Sequence, residues 1–156
     1  MSLMTGRDRI EKKIVLRAPR SAVWRALADA KAFGEWFGVA LDGAITPGAR
    51  LRGRLKHEGF EHVPFEITVE TMKPEELLSW RWHPDAAVEP EHDFTAEPTT
   101  LVTFTLDEVA DGTVLTVVES GFERIAPSRR TAAYRGNEEG WAGQMEAIER
   151  YVKASR

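Results

Sequence analysis

Residues 137–152 read NEEGWAGQMEAIERYV, and this stretch decides how the chain folds. Its large apolar side chains recur at steps of four, three and four residues: Trp141, Met145, Ile148 and Val152. That spacing is typical of one face of an α-helix, which would be on the order of 25 Å long at 1.5 Å per residue. Two acidic residues follow Asn137, a pattern that predicts a helix start there, separate from a first turn near Ser128. The chain therefore ends in an amphipathic helix whose apolar face needs a partner layer.

The segments before this helix predict that partner layer. Apolar and polar side chains alternate along most of residues 49–119, which is typical of antiparallel strands with one buried and one solvated face. Strands are predicted over residues 9–17, 38–45, 49–55, 63–71, 78–82, 102–106 and 115–119, and an exposed acidic loop over residues 84–99. After the first strand, Pro19 predicts the start of one short helix. A second short helix carries Phe33 and Trp36 and ends at Gly38.

This order of elements predicts an α+β protein with a single domain over residues 9–154 and an N-terminal tail of residues 1–8. The inner face of the sheet must be covered, and the C-terminal helix is the only predicted element long enough to cover it. A strongly curved sheet around one helix tends to leave space between the layers. We therefore expect an apolar internal cavity for a small ligand, unless side chains fill that space.

The composition argues against several classes of protein. The chain has 156 residues, a formal net charge of −4 and no cysteine, so we expect no nucleic-acid partner, disulfide or thiolate metal site. No apolar run approaches the roughly 20 residues that span a bilayer, and charged residues stand where a signal peptide would be apolar. The basic residues Arg50, Arg52, Arg54 and Lys56 alternate along the solvent face of one predicted strand. We expect a cytoplasmic protein, either a monomer or a homodimer.

Three stretches carry a resemblance to a known superfamily. Residues 18–24 read APRSAVW with FGEWF at 33–37, residues 112–116 read GTVLT with ESGF at 119–122, and Gly140-Trp141 lies on the last helix. These stretches resemble the START-like superfamily, also called SRPBCC or Bet v-like helix-grip proteins. Within it they resemble the bacterial relatives of the C-terminal domain of the activator of the 90-kDa heat-shock chaperone ATPase. The resemblance runs from about Ile10 to Val152 and implies a helix-grip fold, in which a curved antiparallel sheet wraps round a long C-terminal helix. Its motifs consist of core and turn residues, so they indicate fold far more strongly than activity.

Aromatic side chains on the predicted inner faces are the main candidates for ligand binding. The candidate cavity-lining residues are Trp36, Phe37, His57, Phe65, Trp80, Trp82, Phe104, Glu119, Trp141, Met145 and Ile148. Large aromatic residues dominate ordinary protein cores, so plain packing explains them equally well. Ligand pockets are also mostly apolar with a few polar anchors, and the resemblance favours that interpretation.

Glu119 is the most informative single residue. It lies two and four residues after Val117 and Leu115, and alternate residues of a strand share one face, so its carboxylate is predicted to face the interior. An unpaired buried charge is unfavourable, so this group must be protonated, paired or in contact with a wet cavity. The alternative is a strand that frays or bulges before Glu119 and leaves it exposed.

Two weaker signals concern a histidine and a glycine. His57 has inward parity but lies at a hairpin, where parity is least reliable. A metal site with His62 would also need Glu58 or Glu61 in converging geometry, and we predict neither a metal nor a cofactor. Gly140 precedes Trp141, and we expect it to allow the helix to approach the sheet or a ligand closely.

Three functions remain open at this level. No nucleophile elbow, phosphate-binding glycine loop or dinucleotide fingerprint is present, so no catalytic residue is assigned. The first hypothesis is binding of a small hydrophobic or aromatic molecule without chemistry. The second is a cyclase or dehydratase, since polyketide cyclases resemble this fold, with Glu119 or His57 as acid or base. The third, implied by the subfamily resemblance alone, is a module that interacts with the heat-shock chaperone.

Overall fold

The computed structural model describes residues 9–56, 58–59, 64–84 and 96–154. The strands are β1 (Arg9–Leu16), β2 (Val39–Leu41), β3 (Arg50–Leu55), β4 (Pro64–Lys73), β5 (Leu77–Trp82), β6 (Thr100–Val109) and β7 (Gly112–Ser120). The helices are α1 (Arg20–Ala28), α2 (Ala30–Phe37) and α3 (Pro127–Ala154), with a 3₁₀ turn at Phe122–Arg124. His57 and residues 85–95 of the predicted acidic loop lie outside the described residues.

All seven strands join one antiparallel sheet in the order β1-β7-β6-β5-β4-β3-β2. Most of the sheet follows chain order, because short turns join antiparallel neighbours. The exception is β1, which pairs with β7, so the first and last strands of the chain are neighbours in the sheet. The sheet curves round the long C-terminal helix, so the predicted α+β helix-grip fold is confirmed.

The two short helices follow β1 as predicted, and their ends have clear local causes. Asp29 begins α2 by accepting a hydrogen bond from the Ala32 backbone N–H at 2.9 Å. Gly38 ends α2 in the left-handed region, with φ of 89°, a conformation that favours glycine because it lacks a Cβ. The chain then enters β2, which is shorter than the strand predicted over residues 38–45. Gly43 has φ of 143°, outside the usual strand region, and no ladder pair follows Leu41.

The C-terminal helix is one continuous element of 28 residues. The prediction of a separate helix start at Asn137 is wrong, because the polar pattern there reflects a tertiary contact and not a cap. Pro127 opens the helix, where its missing N–H needs no partner. The predicted apolar stripe is confirmed, since Trp141, Met145, Ile148 and Val152 are all buried.

The core lies between the inner face of the sheet and the three helices. On β6 the buried side chains are Thr100, Val102, Phe104 and Leu106, which alternate with more exposed residues. The opposite face meets solvent: the Arg50 and Arg52 Nε atoms lie 3.0 and 3.2 Å from Oε2 of Glu66. The basic row therefore lies on the solvent face, as expected. No helix in the described ranges combines the length and apolar character that crossing a membrane requires.

Candidate functional site

Glu119 lies inside the protein near the end of β7, with an exposed fraction of 0%. The strand does not fray before it: Glu119 pairs with Ile10 on one side and with Val102 on the other. Because Leu115, Val117 and Glu119 alternate on the inner face, the sheet itself directs the carboxylate toward α3. A side chain that is normally solvated is thus held between the sheet and the long helix.

Four neutral side chains donate hydrogen bonds to this carboxylate. Oε1 accepts from Trp141 Nε1 and from Asn137 Nδ2, both at 2.9 Å. Oε2 accepts from Trp82 Nε1 at 2.8 Å and from Thr100 Oγ1 at 2.5 Å. Asn137 Nδ2 also lies 3.0 Å from Oε2 and so bridges both oxygens. The donors come from β5, β6 and α3, so one carboxylate joins three elements to β7.

The hydrogen-bonding capacity of these partners fits an ionised carboxylate. An indole N–H and an amide NH₂ can only donate, and an ionised carboxylate can only accept. A protonated Glu119 would need an acceptor, and of the four partners in this arrangement only the Thr100 hydroxyl can accept. Among the described residues, no lysine, arginine or histidine forms an ion pair with Glu119. The four donors therefore favour the ionised form of Glu119, in which the buried negative charge is hydrogen-bonded by neutral groups alone.

The predicted aromatic residues surround this network and touch one another. The Trp141 ring lies 5.7 to 6.4 Å, centroid to centroid, from the rings of Phe37, Trp80, Trp82 and Phe104. Trp80 and Trp82 lie 5.0 Å apart, and Phe65 lies 6.0 Å from Trp82. These separations are those of packed aromatic pairs. Much of the space between helix and sheet is therefore filled by side chains.

The indole nitrogens in this region differ in their partners. Trp36 Nε1 donates to the carbonyl oxygen of Ala26 at 2.7 Å, which fixes its ring between α1 and α2. Trp80 Nε1 is buried and has no hydrogen-bond partner among the described residues. A buried donor without an acceptor is rare in proteins, and a bound molecule can supply the acceptor that this N–H group lacks.

A cleft of about 80 Å³ opens at the edge of this cluster, between α2, β5 and α3. Its lining consists of Phe37, Trp82, Asn137, Gly140, Trp141 and Gln144. A Cβ added at Gly140 would meet nothing within 4 Å. The expectation that Gly140 allows the helix to approach the sheet closely is therefore wrong, whereas a close approach to a ligand stays a prediction; the missing side chain leaves the cleft open. Three of the lining residues donate to Glu119, so the carboxylate lies directly behind the wall of the cleft.

The amide groups of Asn137 and Gln144 are oriented by partners that can only accept. Asn137 directs its NH₂ to the Glu119 carboxylate, and Gln144 Nε2 donates to the Phe37 carbonyl oxygen at 3.1 Å. Because the partners have no proton to donate, these orientations follow from chemistry. Neither amide oxygen accepts a hydrogen bond from any described side chain.

The structure brings most of the candidate residues together. Phe37, Phe65, Trp80, Trp82, Phe104, Glu119 and Trp141 form one contiguous group. Trp36 contacts Phe37 on the α2 side, and Met145 and Ile148 continue the buried stripe of α3. His57 is outside the described residues. In the described part of the chain, no group of three or more His, Asp or Glu residues is arranged to hold a metal ion.

Three polar residues of the site were not anticipated. Thr100 shares the inward parity of Val102 and Phe104, so strand alternation would have identified it. Asn137 precedes Trp141 by four residues and Gln144 follows it by three, which places both beside Trp141 on the helix surface. The signal was therefore present in the helical spacing, but polar residues near an apolar stripe are usually solvated.

A curved antiparallel sheet closed by a long helix, with an aromatic cluster beneath that helix, defines a protein of the SRPBCC class. The family model that matches, over residues 17–153, is described as "Activator of Hsp90 ATPase homolog 1-like protein". The chain therefore belongs to this family. A comparison with curated proteins found no match.

Solved structures share the fold along the whole chain. MLL2253 from Mesorhizobium loti is 24% identical, with a TM-score of 0.75 over 95% of this chain and 98% of its own. NE0264 from Nitrosomonas europaea is 17% identical, with a TM-score of 0.74 over 97% of both chains. DynU16, a protein in the dynemicin biosynthetic locus, is 25% identical, with a TM-score of 0.71 over 96% of this chain. This chain covers 48% of DynU16, about half of its length.

Proposed function

We propose that this protein binds a small hydrophobic or aromatic molecule at the cleft between α2, β5 and α3, without chemistry of its own. The observation that carries the proposal is a cleft walled by the rings of Phe37, Trp82 and Trp141 and left open at Gly140. Ligand sites are mostly apolar concavities with a few fixed polar groups, and this cleft has that character. Membership of the family is compatible with the same function.

The size of the cleft limits the ligand. Pockets for drug-sized molecules commonly measure about 300–1,000 Å³, whereas this cleft measures about 80 Å³. It therefore holds a small molecule, or the end group of a larger one whose remainder lies outside or displaces rings of the cluster. Trp80 Nε1, which has no partner among the described residues, offers a donor to a ligand that reaches further inward.

Two glycines on α3 provide a matched test. Gly140 lines the cleft and Gly143 does not, yet a Cβ at either position would meet nothing within 4 Å. The probe is the neutral aromatic amine N-phenyl-1-naphthylamine, whose phenyl ring is the end group for the cleft and whose fluorescence rises in apolar surroundings. We expect Gly140→Leu to weaken probe binding by at least about tenfold, a change of about 1.4 kcal/mol, and Gly143→Leu to bind like the parent protein. Equal binding by all three proteins, or no binding by the parent, would contradict the proposal.

A second candidate is an enzyme of the polyketide cyclase kind, favoured by the buried carboxylate of Glu119 and compatible with the likeness to DynU16, which comes from a biosynthetic locus. In that function Glu119 would take or give a proton while the aromatic walls orient the substrate. Its oxygens already accept from four protein donors, so a substrate reaches them only after one donor leaves. Turnover of a linear polyketide that is lost in Glu119→Gln, with thermal unfolding still cooperative, would favour the enzyme over the binding protein.

A further inference from the structure

We infer that the ligand of this cleft carries an organic ammonium group, seated against the rings of Phe37, Trp82 and Trp141. The inference rests on the proposed function and names the chemical class of its ligand. Three features of the cleft lead to it: the charge behind its wall, the indole rings that are hydrogen-bonded to that charge, and the amide oxygens beside them.

The first feature is an unneutralised negative charge. Glu119 is fully buried, and its hydrogen-bond partners are all neutral. Hydrogen bonds satisfy its lone pairs but leave the net charge in place. Because the surroundings are apolar rings and not water, the field of this charge is weakly screened at the cleft. A cation in the cleft is attracted to Glu119, whereas an anionic ligand is repelled.

The second feature is the pair of indoles that connect this charge to the cleft. Trp82 and Trp141 both line the cleft, and both donate their Nε1–H groups to the same carboxylate, at 2.8 and 2.9 Å. A hydrogen bond to an anion polarises its donor, which leaves the indole ring richer in electrons. Electron-rich ring faces attract cations, and cages of aromatic rings bind quaternary ammonium groups in this way. Phe37 supplies the third ring of the cleft.

The third feature is the pair of amide oxygens that the polar side chains of the cleft present. Asn137 and Gln144 use their NH₂ groups on Glu119 and on the Phe37 carbonyl, so each retains an amide oxygen that accepts from no described side chain. None of the described residues that line this cleft is charged. An amide oxygen interacts well with N–H donors or with the polarised methyl groups of a quaternary ammonium, and poorly with an anion.

The size of the cleft also suits such a group. A cavity needs a volume of about 10–15 Å³ to hold one water molecule. A cleft of about 80 Å³ therefore takes a handful of heavy atoms. A trimethylammonium group contains four heavy atoms. The expected ligand is therefore a small organic ammonium, or a larger apolar molecule that ends in one.

Two molecules of the same shape test the charge alone. Choline and 3,3-dimethyl-1-butanol differ in having a quaternary nitrogen or a carbon at the branch point. Each is titrated against the protein loaded with N-phenyl-1-naphthylamine, and displacement of the probe gives the affinity. We expect choline to bind at least about tenfold more tightly, which corresponds to about 1.4 kcal/mol. In Glu119→Gln, which keeps the side-chain shape, we expect that preference to shrink severalfold.

The possible outcomes separate this inference from the function on which it rests. If the alcohol displaces the probe as well as choline does, or if neither does, the ammonium inference fails while the bound probe still supports ligand binding. If the probe itself does not bind to the parent protein, both proposals fail. If Glu119→Gln folds and keeps the full preference for choline, the buried charge is not its cause. Should that variant not fold, Gly140→Leu, which we expect to weaken choline binding at least about tenfold, gives the second test: unchanged choline binding would place the site elsewhere.

Discussion

Asn137 in the middle of α3 bridges both oxygens of Glu119 on β7, at 2.9 and 3.0 Å. Asparagine is less favourable than alanine inside a helix by up to about 0.7 kcal/mol. A hydrogen bond to a buried charge contributes about 1.5–3 kcal/mol, which exceeds that penalty. The bridge therefore stabilises the long helix in one position along the sheet, and that position sets the width of the cleft beside Trp141.

Changing Asn137 to aspartate should be far more disruptive than shortening it. Asn137→Asp places a second carboxylate at hydrogen-bond distance from Glu119, and two like charges about 4 Å apart repel by about 4 kcal/mol at an effective dielectric of 20. Asn137→Ala removes hydrogen bonds to a charged group, a loss of about 1.5–3 kcal/mol. Urea unfolding of both variants measures the difference. Equal stability of the two would show that Asn137 does not face Glu119 in solution.

Neutralising Glu119 should lower stability although the side-chain shape is kept. Glu119→Gln turns an NH₂ group toward the indole N–H of either Trp141 or Trp82, which can only donate, so at least one buried donor loses its acceptor, at about 1–3 kcal/mol. The matched control is Glu66→Gln on the solvent face, where Arg50 and Arg52 are largely exposed and such pairs contribute about 0–1 kcal/mol. Thermal unfolding compares them. A larger loss in Glu66→Gln would contradict the described network.

Two buried tryptophans should respond differently to the same substitution. Trp141 and Trp80 are 2% and 0% exposed, but only Trp141 donates its N–H to Glu119. Trp141→Phe loses packing and a charged hydrogen bond, whereas Trp80→Phe loses packing and removes an unpaired donor. We expect Trp141→Phe to be the less stable variant by about 2 kcal/mol, measured by denaturant unfolding. The reverse order would mean that Trp80 has a polar partner in the folded protein.

Glycines at two places should respond to alanine with opposite signs. A Cβ at Gly34 would lie 2.2 Å from the Val39 carbonyl oxygen, so α2 and β2 would have to separate. We expect Gly34→Ala to destabilise the protein by about 1–3 kcal/mol. At Gly140 the added Cβ meets open space, and alanine should stabilise the helix by about 0.5–1 kcal/mol. Melting temperatures decide this, and a destabilised Gly140→Ala would indicate that the helix packs closely there.

Local patterns account for much of the fold. The alternation along β6 and β7 and the stripe from Trp141 to Val152 correspond to buried faces, because a strand repeats every two residues and a helix every 3.6. Gly38 ends α2 as predicted for the same local reason, since its φ is positive. Patterns failed where a distant contact decided the outcome. Asn137 resembles a helix start in sequence, yet its partner is Glu119, 18 positions earlier.

The candidate site was predicted in its apolar part and missed in its polar part. The alternation of inward and outward residues along the strands identified Trp80, Trp82 and Phe104 as facing the interior. Parity also directed Glu119 inward, but it does not reveal what a buried carboxylate contacts. The place of Thr100 and Gln144 in the site was not predicted, because a polar residue next to an apolar face is hydrated in most proteins.

The amino-acid sequence by itself determined the order of the elements, the face that each one buries and the inward direction of Glu119. These properties depend on periodicity within a few residues, which short-range sterics and burial impose. Only the tertiary structure decided that two indoles, a threonine and an asparagine donate to one carboxylate, that side chains fill much of the interior, and that the opening lies at Gly140. Those properties depend on the position of α3 along the sheet, and that position is set by contacts between residues far apart in the chain.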